Sequence, residues 1–318
     1  MEAALGVFKS KKKSGSALLS ICLQRTRFNA AMTKPGPAGT PSLVLSAPGA
    51  FTDEAQRGSA LADLVHRNKL GKCPCVAMLP VNTYQLVQVD LGDLPIEERR
   101  EAARWQIREW LDYPPEEAVV DLFEVPPFGG EKRPLTYVVS ASNTYLRDQV
   151  QALSKSGLTL AAIDIPEFAL RNICDLFTED ERGLALLWLE EHSGLLVVAR
   201  DGSLYLSRSF NTGMADLIPY ADGAYESLTE QLDSIVLEIQ RSFDFCESTF
   251  QLPMVSRLLI AQTGQEISAI YGYLNEYLTT KVEPLDFSGV LTTPEGLSQV
   301  ELNGALPVIG GALRREQN

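Results

Sequence analysis

The chain has 318 residues, long enough for about two domains with a sizeable core, and its 45% hydrophobic and 22% charged residues are those of a globular protein. Lys and Arg total 28 against 41 Asp and Glu, a net charge of −13, which excludes nucleic acid as the main partner because phosphate binding uses a basic face. Only two histidines occur, His66 and His192, so Ser/His/Asp and Cys/His catalytic sets and His-rich metal sites are improbable, and no metal site is expected.

The chain opens with a basic tail around Lys11-Lys12-Lys13 and has no signal-peptide apolar run over Met1–Ser20, so a cytoplasmic protein is expected. Ala17–Gln24 and Arg27–Thr33 read as consecutive strands, and Lys34–Pro41 as a breaker-rich loop. Ser59–Lys69 carries Leu61, Leu64 and Val65 at helical spacing. Gly71-Lys72 fails as a phosphate loop, since Cys73 follows the lysine and His66 stands where the first glycine belongs. Cys73-Pro74-Cys75 is too tight for a redox or zinc pair. With Cys22, Cys174 and Cys246 these read as plain buried thiols.

A regular β-α-β-β-α-β grammar then begins. Strands Cys75–Leu79 and Leu86–Leu91 flank the bend Pro80–Tyr84, and Pro95 opens a helix with Glu97 and Glu98 at its positive end. That helix is expected to run to Tyr113-Pro114-Pro115, with Ala103, Ile107, Trp110 and Leu111 on its core stripe. Trp105 points away from the stripe, beside Arg104 and Arg108, and is the candidate partner contact. Ala118–Val125 and Thr136–Ala141 are strands joined by a Pro/Gly loop holding Gly129-Gly130. Tyr145–Ser156 is a helix capped by Gly157, Thr159–Ile165 a strand, and Pro166–Phe177 a helix. Asp164 at that strand's end is a constrained carboxylate or a helix cap.

From Gly183 a second α/β region is expected. Leu184–Leu189 is the longest apolar run, far short of the roughly 20 residues that span a bilayer. Glu190-Glu191 reads as a solvated turn before Gly194–Arg200, and Asp201-Gly202 before Leu204–Phe210 is a hairpin signal. Tyr225–Gln251 is one long helix with Leu228, Leu232, Ile235, Ile239, Phe243, Cys246 and Phe250 on a stripe. Arg257–Ala261 is a buried-type strand, Gln265–Leu278 a helix, Lys281–Leu285 a strand, and Gly310-Gly311 a turn.

Five segments in order carry a resemblance: QVDLGDLPIEERREAARWQIREWLDYPPEEAVVDLFEV (88–125), YVVSASNTYLRDQVQALSKSGLTLAAIDIPEFAL (137–170), VVARDGSLYLSRSF (197–210), IVLEIQRSFDFCESTF (235–250) and GALPVIGGALRR (304–315). The chain resembles the PilM family of actin-like pilus-assembly proteins, in particular its MshI-like branch, associated with mannose-sensitive haemagglutinin (MSHA) pili. The resemblance implies an α/β, two-lobed, actin-like ATPase fold with ribonuclease-H-like sheets. The first lobe would cover 1–182, with a small inserted β-α-β-β-α-β subdomain at about 84–162. The second would cover 183–318, its C-terminal segment returning to the first.

In nucleotide-binding members an Asp-Ile-Gly turn in each lobe holds metal and phosphates. Aligned from Asp201-Gly202, Trp188 takes the place of that Asp and Glu190 of that Gly, and the first-lobe turn near Ile21–Arg25 has neither residue. The adenosine turn reads Gln262-Thr263-Gly264. A glutamate adds bulk and negative charge against a polyphosphate, so the nucleotide site is degenerate and neither ATP nor Mg binding is expected. The resemblance therefore implies a non-catalytic cytoplasmic scaffold. It would dock the N-terminal tail of a PilN-like inner-membrane protein, staying peripheral to the membrane through that partner. The family places the tail groove at the inserted subdomain and its junction with the first lobe. The rival reading is an active ATPase or small-molecule kinase of the same fold.

Overall fold

The computed structural model describes residues 17–126, 134–177, 182–220, 225–253 and 255–315. The Lys11–Lys13 tail and the Gly129-Gly130 pair lie outside them. The chain forms two compact units, one of residues 1–126, 132–169 and 307–318, the other of 127–131 and 170–306. The division falls at 169/170, inside a helix, where the sequence pattern had suggested 182/183.

The first unit is built on strands β1 (Leu18–Leu23), β2 (Arg27–Pro35) and β3 (Pro41–Ala50), then helix α1 (Glu54–Arg67) and strand β4 (Pro74–Met78). β1 is buried along its whole length and pairs antiparallel with β2 and parallel with β4, which makes it central. β3 is a strand that the composition of PSLVLSAPGA conceals. It lies at the sheet edge, where Pro41 and Pro48 do not need a ladder N–H on the open side.

Strand β5 (Gln85–Val89), helix α2 (Ile96–Gln106), strands β6 (Ala118–Val125) and β7 (Leu135–Ser142), helix α3 (Asn143–Lys155), strand β8 (Thr159–Asp164) and helix α4 (Pro166–Cys174) follow. Here the six-element grammar divides between two sheets. β5, β7 and β6 form a separate antiparallel three-stranded sheet, but β8 leaves it and pairs parallel with β4. The large sheet has the order β3-β2-β1-β4-β8. The small insertion is thus the three-stranded sheet with α2. Ala103 of α2 and Ile107, the residue that caps it, pack on one face of it against Val89, Ala118, Val120 and Val138. On the other face Phe123 stacks on Tyr137 at 5.3 Å and meets Phe168 edge-on at 4.8 Å.

α2 stops at Gln106, and a 3₁₀ turn over Arg108–Trp110 follows. The tighter winding breaks the 100° progression, so Trp110 leaves the expected core stripe and is 55% exposed.

The second unit repeats the first unit's order. Strands β9 (Leu184–Leu189), β10 (Gly194–Arg200) and β11 (Ser203–Phe210) are followed by the short helix α5 (Met214–Leu217) and the long helix α6 (Tyr225–Phe250). Then come β12 (Arg257–Gln262), α7 (Ala269–Tyr277) and β13 (Lys281–Pro284), giving the order β11-β10-β9-β12-β13. β9 to β11 are antiparallel neighbours, and β9, β12 and β13 run parallel. The α6 stripe is buried at Leu228, Leu232, Ile235, Ile239, Cys246 and Phe250, as its 3.6-residue period requires.

Helices α8 (Gln299–Gly304) and α9 (Leu306–Ala312) close the chain. Gly310 and Gly311 are helical, not a turn. A Cβ at Gly310 would lie 2.1 Å from the Ala169 carbonyl oxygen, and one at Gly311 would lie 2.5 Å from Ser20 Oγ. Hydrogen alone lets α9 approach α4 and β1 this closely within the first unit.

Candidate functional site

The positions aligned with nucleotide turns gather at one end of the second unit. β9 and β12 are parallel, so Leu189 lies beside Gln262 and their exits converge. Trp188 is buried, and its Nε1 donates to the Asn303 carbonyl at 3.0 Å. Asn303 Nδ2 in turn donates to the Gln262 carbonyl at 2.9 Å. The Gln262 side chain closes the loop after β12, accepting from Ile267 N–H at 2.8 Å and donating to Ile267 O at 3.3 Å. Thr263 donates twice to Leu189 O, from its N–H at 3.1 Å and its hydroxyl at 3.0 Å. Gly264 completes the turn with φ of 72°.

The β9–β10 turn is closed by the same kind of bonding. Glu190 N–H donates to Ser193 O at 2.8 Å, while the carbonyls of Glu190 and Glu191 accept from Met214 and Ala215 at 2.7 and 2.8 Å. Gly213 sits directly on the turn, where a Cβ would come within 2.4 Å of Ser193 N. A phosphate cradle needs backbone N–H groups that point outward and are unspent. Here the N–H groups of Glu190, Thr263, Ile267, Met214 and Ala215 are all donated to protein oxygens. Of the five singled-out positions, Trp188, Gln262 and Thr263 are tied into one end cap, with Gly264 at its turn and Glu190 in the adjoining hairpin.

The partner-binding candidates lie on α2 and the turn after it. Trp105 is 45% exposed, with Nε1 donating to Glu101 Oε1 at 2.7 Å. Arg104 pairs with the other oxygen of Glu101 and is mostly covered, whereas Arg108 is largely exposed and only 4.0 Å from Glu109. α2 covers the face of the small sheet opposite Phe123, so Trp105 lies away from the side that meets Phe168. Trp110 adds a second exposed aromatic ring to this outer layer.

Sequence reasoning singled out Asp164 but missed the rest of a buried polar cluster in the first unit. Tyr84, the residue before β5, donates its hydroxyl to Glu167 Oε2 at 2.6 Å. Burial pushes the Glu167 carboxyl up to about 7, against the Tyr84 hydrogen bond, which favours the charged form. Asp164 is fully buried, accepts from Ile165 N–H at 3.0 Å and pairs with Arg314. These partners stand 83 and 150 residues apart, beyond any local signal except the apolar setting of Asp164. Among the described residues there is no His/Cys/Asp/Glu group able to hold a metal ion, and no helix is long and apolar enough to cross a membrane.

No protein-family model and no curated protein matches the sequence. Among solved structures, the chain is similar to one in the PilM-PilN type IV pilus biogenesis complex. The TM-score is 0.68 at 18% identity, over 94% of this chain and 99% of that one. It is also similar to the cytoplasmic domain of EpsL, an inner-membrane component of the type II secretion system of Vibrio cholerae. That match has a TM-score of 0.51 at 10% identity, over 95% and 97%. The fold is actin-like. The likeness and the repeated five-strand order agree on it: each unit carries one ribonuclease-H-like sheet, and the three-stranded sheet is inserted in the first.

Proposed function

We propose that this chain is a non-catalytic scaffold of type IV pilus assembly, of the MSHA type. It would work at the cytoplasmic face of the inner membrane and dock the N-terminal tail of a PilN-like bitopic partner. The observation that carries this reading is the hydrogen-bonded closure of the β9–β10 and β12 turns. The N–H groups of Glu190, Thr263, Met214, Ala215 and Ile267 at these turns are spent on Ser193, Leu189, Glu190, Glu191 and Gln262 and are not offered to a polyphosphate. The likeness to a chain from a complex of PilM with PilN supports the partner class. The outer layer of the inserted sheet, with Trp105, Trp110 and Arg108, supplies exposed aromatic rings beside a cation, the composition of an interface anchor.

Calorimetry tests both halves of the reading. Mg-ATP should give no saturable heat at millimolar concentration, and a synthetic tail peptide of the membrane partner should bind with a single-site isotherm. Micromolar ATP affinity would overturn the reading in favour of an ATPase or small-molecule kinase.

A further inference from the structure

The second unit has a cavity of about 120 Å³ between the C-terminal end of α6, the segment before β12 and the segment before β13. Val255 and Thr280 lie just ahead of the two parallel strands, joined by a hydrogen bond from Thr280 Oγ1 to Val255 O at 3.1 Å. The cavity is therefore at the strands' starting ends, opposite the Gln262–Gly264 turn.

Its lining is sorted by polarity. Cys246, Leu252, Val255 and Leu278 are buried and form a mainly apolar floor together with Thr280, also buried, whose hydroxyl is donated to Val255 O. The Cys246 thiol fits that floor as a neutral group, because burial pushes its pKa up to about 12. The rim is exposed and carries Asp244 and Glu247, three residues apart on one face of α6, with the ring of Tyr277 nearby. None of the lining residues is basic, and neither carboxylate has an ion-pair partner among the described residues. The volume is well below the roughly 300–1,000 Å³ of a drug-sized site, so it admits one short chain and not a nucleotide or cofactor. An apolar floor under a doubly anionic rim selects a ligand with a hydrocarbon tail and a cationic head.

We propose that this cavity binds a small primary amine, its alkyl tail against Cys246, Leu252, Val255 and Leu278 and its ammonium between Asp244 and Glu247. The site is separate from the docking face on α2 and does not depend on that reading.

Titrating the full chain with pentylammonium, pentanol and pentanoate, followed by calorimetry and ligand-observed NMR, tests the proposal. The amine should bind about tenfold more tightly than the alcohol, the product of two partly exposed charge contacts, and pentanoate more weakly than both. The double variant Asp244→Asn/Glu247→Gln changes only exposed groups. It should bring the amine to the alcohol's affinity and leave the alcohol unchanged. Equal affinity for the three probes, an amine affinity unaltered in the double variant, or no binding of any probe would each overturn it.

Discussion

Trp105→Ala separates a docking residue from a packing residue, and the geometry sets both magnitudes. A tryptophan side chain offers up to about 250 Å² of surface. With 45% of Trp105 exposed, about 110 Å² is available to a partner. At about 25 cal/mol per Å², complete coverage is worth just under 3 kcal/mol, and the partial coverage that an extended peptide achieves is worth about 2 kcal/mol. The expected loss of tail-peptide affinity is therefore about thirtyfold. The substitution also touches stability, because the rest of the ring is covered and Nε1 is bonded to Glu101. Loss of that packing, offset in part by alanine's better helix propensity, should cost about 1–2 kcal/mol in a denaturant melt. Peptide calorimetry and the melt are to be run on the same preparation, at a temperature where the variant is folded. Peptide affinity within about threefold of wild type in the folded variant would refute the assignment of Trp105 to the docking face.

Two further perturbations probe the closed turns and the buried cluster. Gly213→Val places a side chain against Ser193 N and should lift α5 from the β9–β10 turn, costing about 1–3 kcal/mol and speeding amide exchange at Met214 and Ala215; unchanged exchange would contradict the closure. Glu167 has a folded pKa of about 7 against an ordinary 4.5, so its contribution is fully present below the lower value and is lost as pH rises through the upper one. Stability should fall by up to about 3 kcal/mol across that window and the slope should vanish in Glu167→Gln; a wild-type slope in that variant would place the titration elsewhere.

Much of the second unit was legible because its signals are local. The α6 stripe obeys a helical period, β9 and β10 are unbroken apolar runs, and Asp201-Gly202 forms the left-handed turn that its dipeptide specifies, with φ of 48° and 73°. The outward position of Trp105 also followed from 100° per residue. Trp110 did not, since a switch to 3₁₀ winding depends on how the chain leaves the helix.

Strand partnership was decided by tertiary structure. Thr159–Asp164 reads as a strand in isolation, but only the buried neighbour β4 assigns it to the large sheet rather than the small one. Edge position likewise explains how Pro41–Ala50 can be a strand despite its prolines, because the cost of a missing N–H depends on what faces it. The candidate nucleotide turns show the same divide. The family resemblance implied Trp188 and Glu190 at the places of an Asp and a Gly. That Asn303, Met214 and Ala215 spend the surrounding hydrogen bonds required the fold, because periodicity reports which face of an element is buried and carries no information about which distant group will meet it.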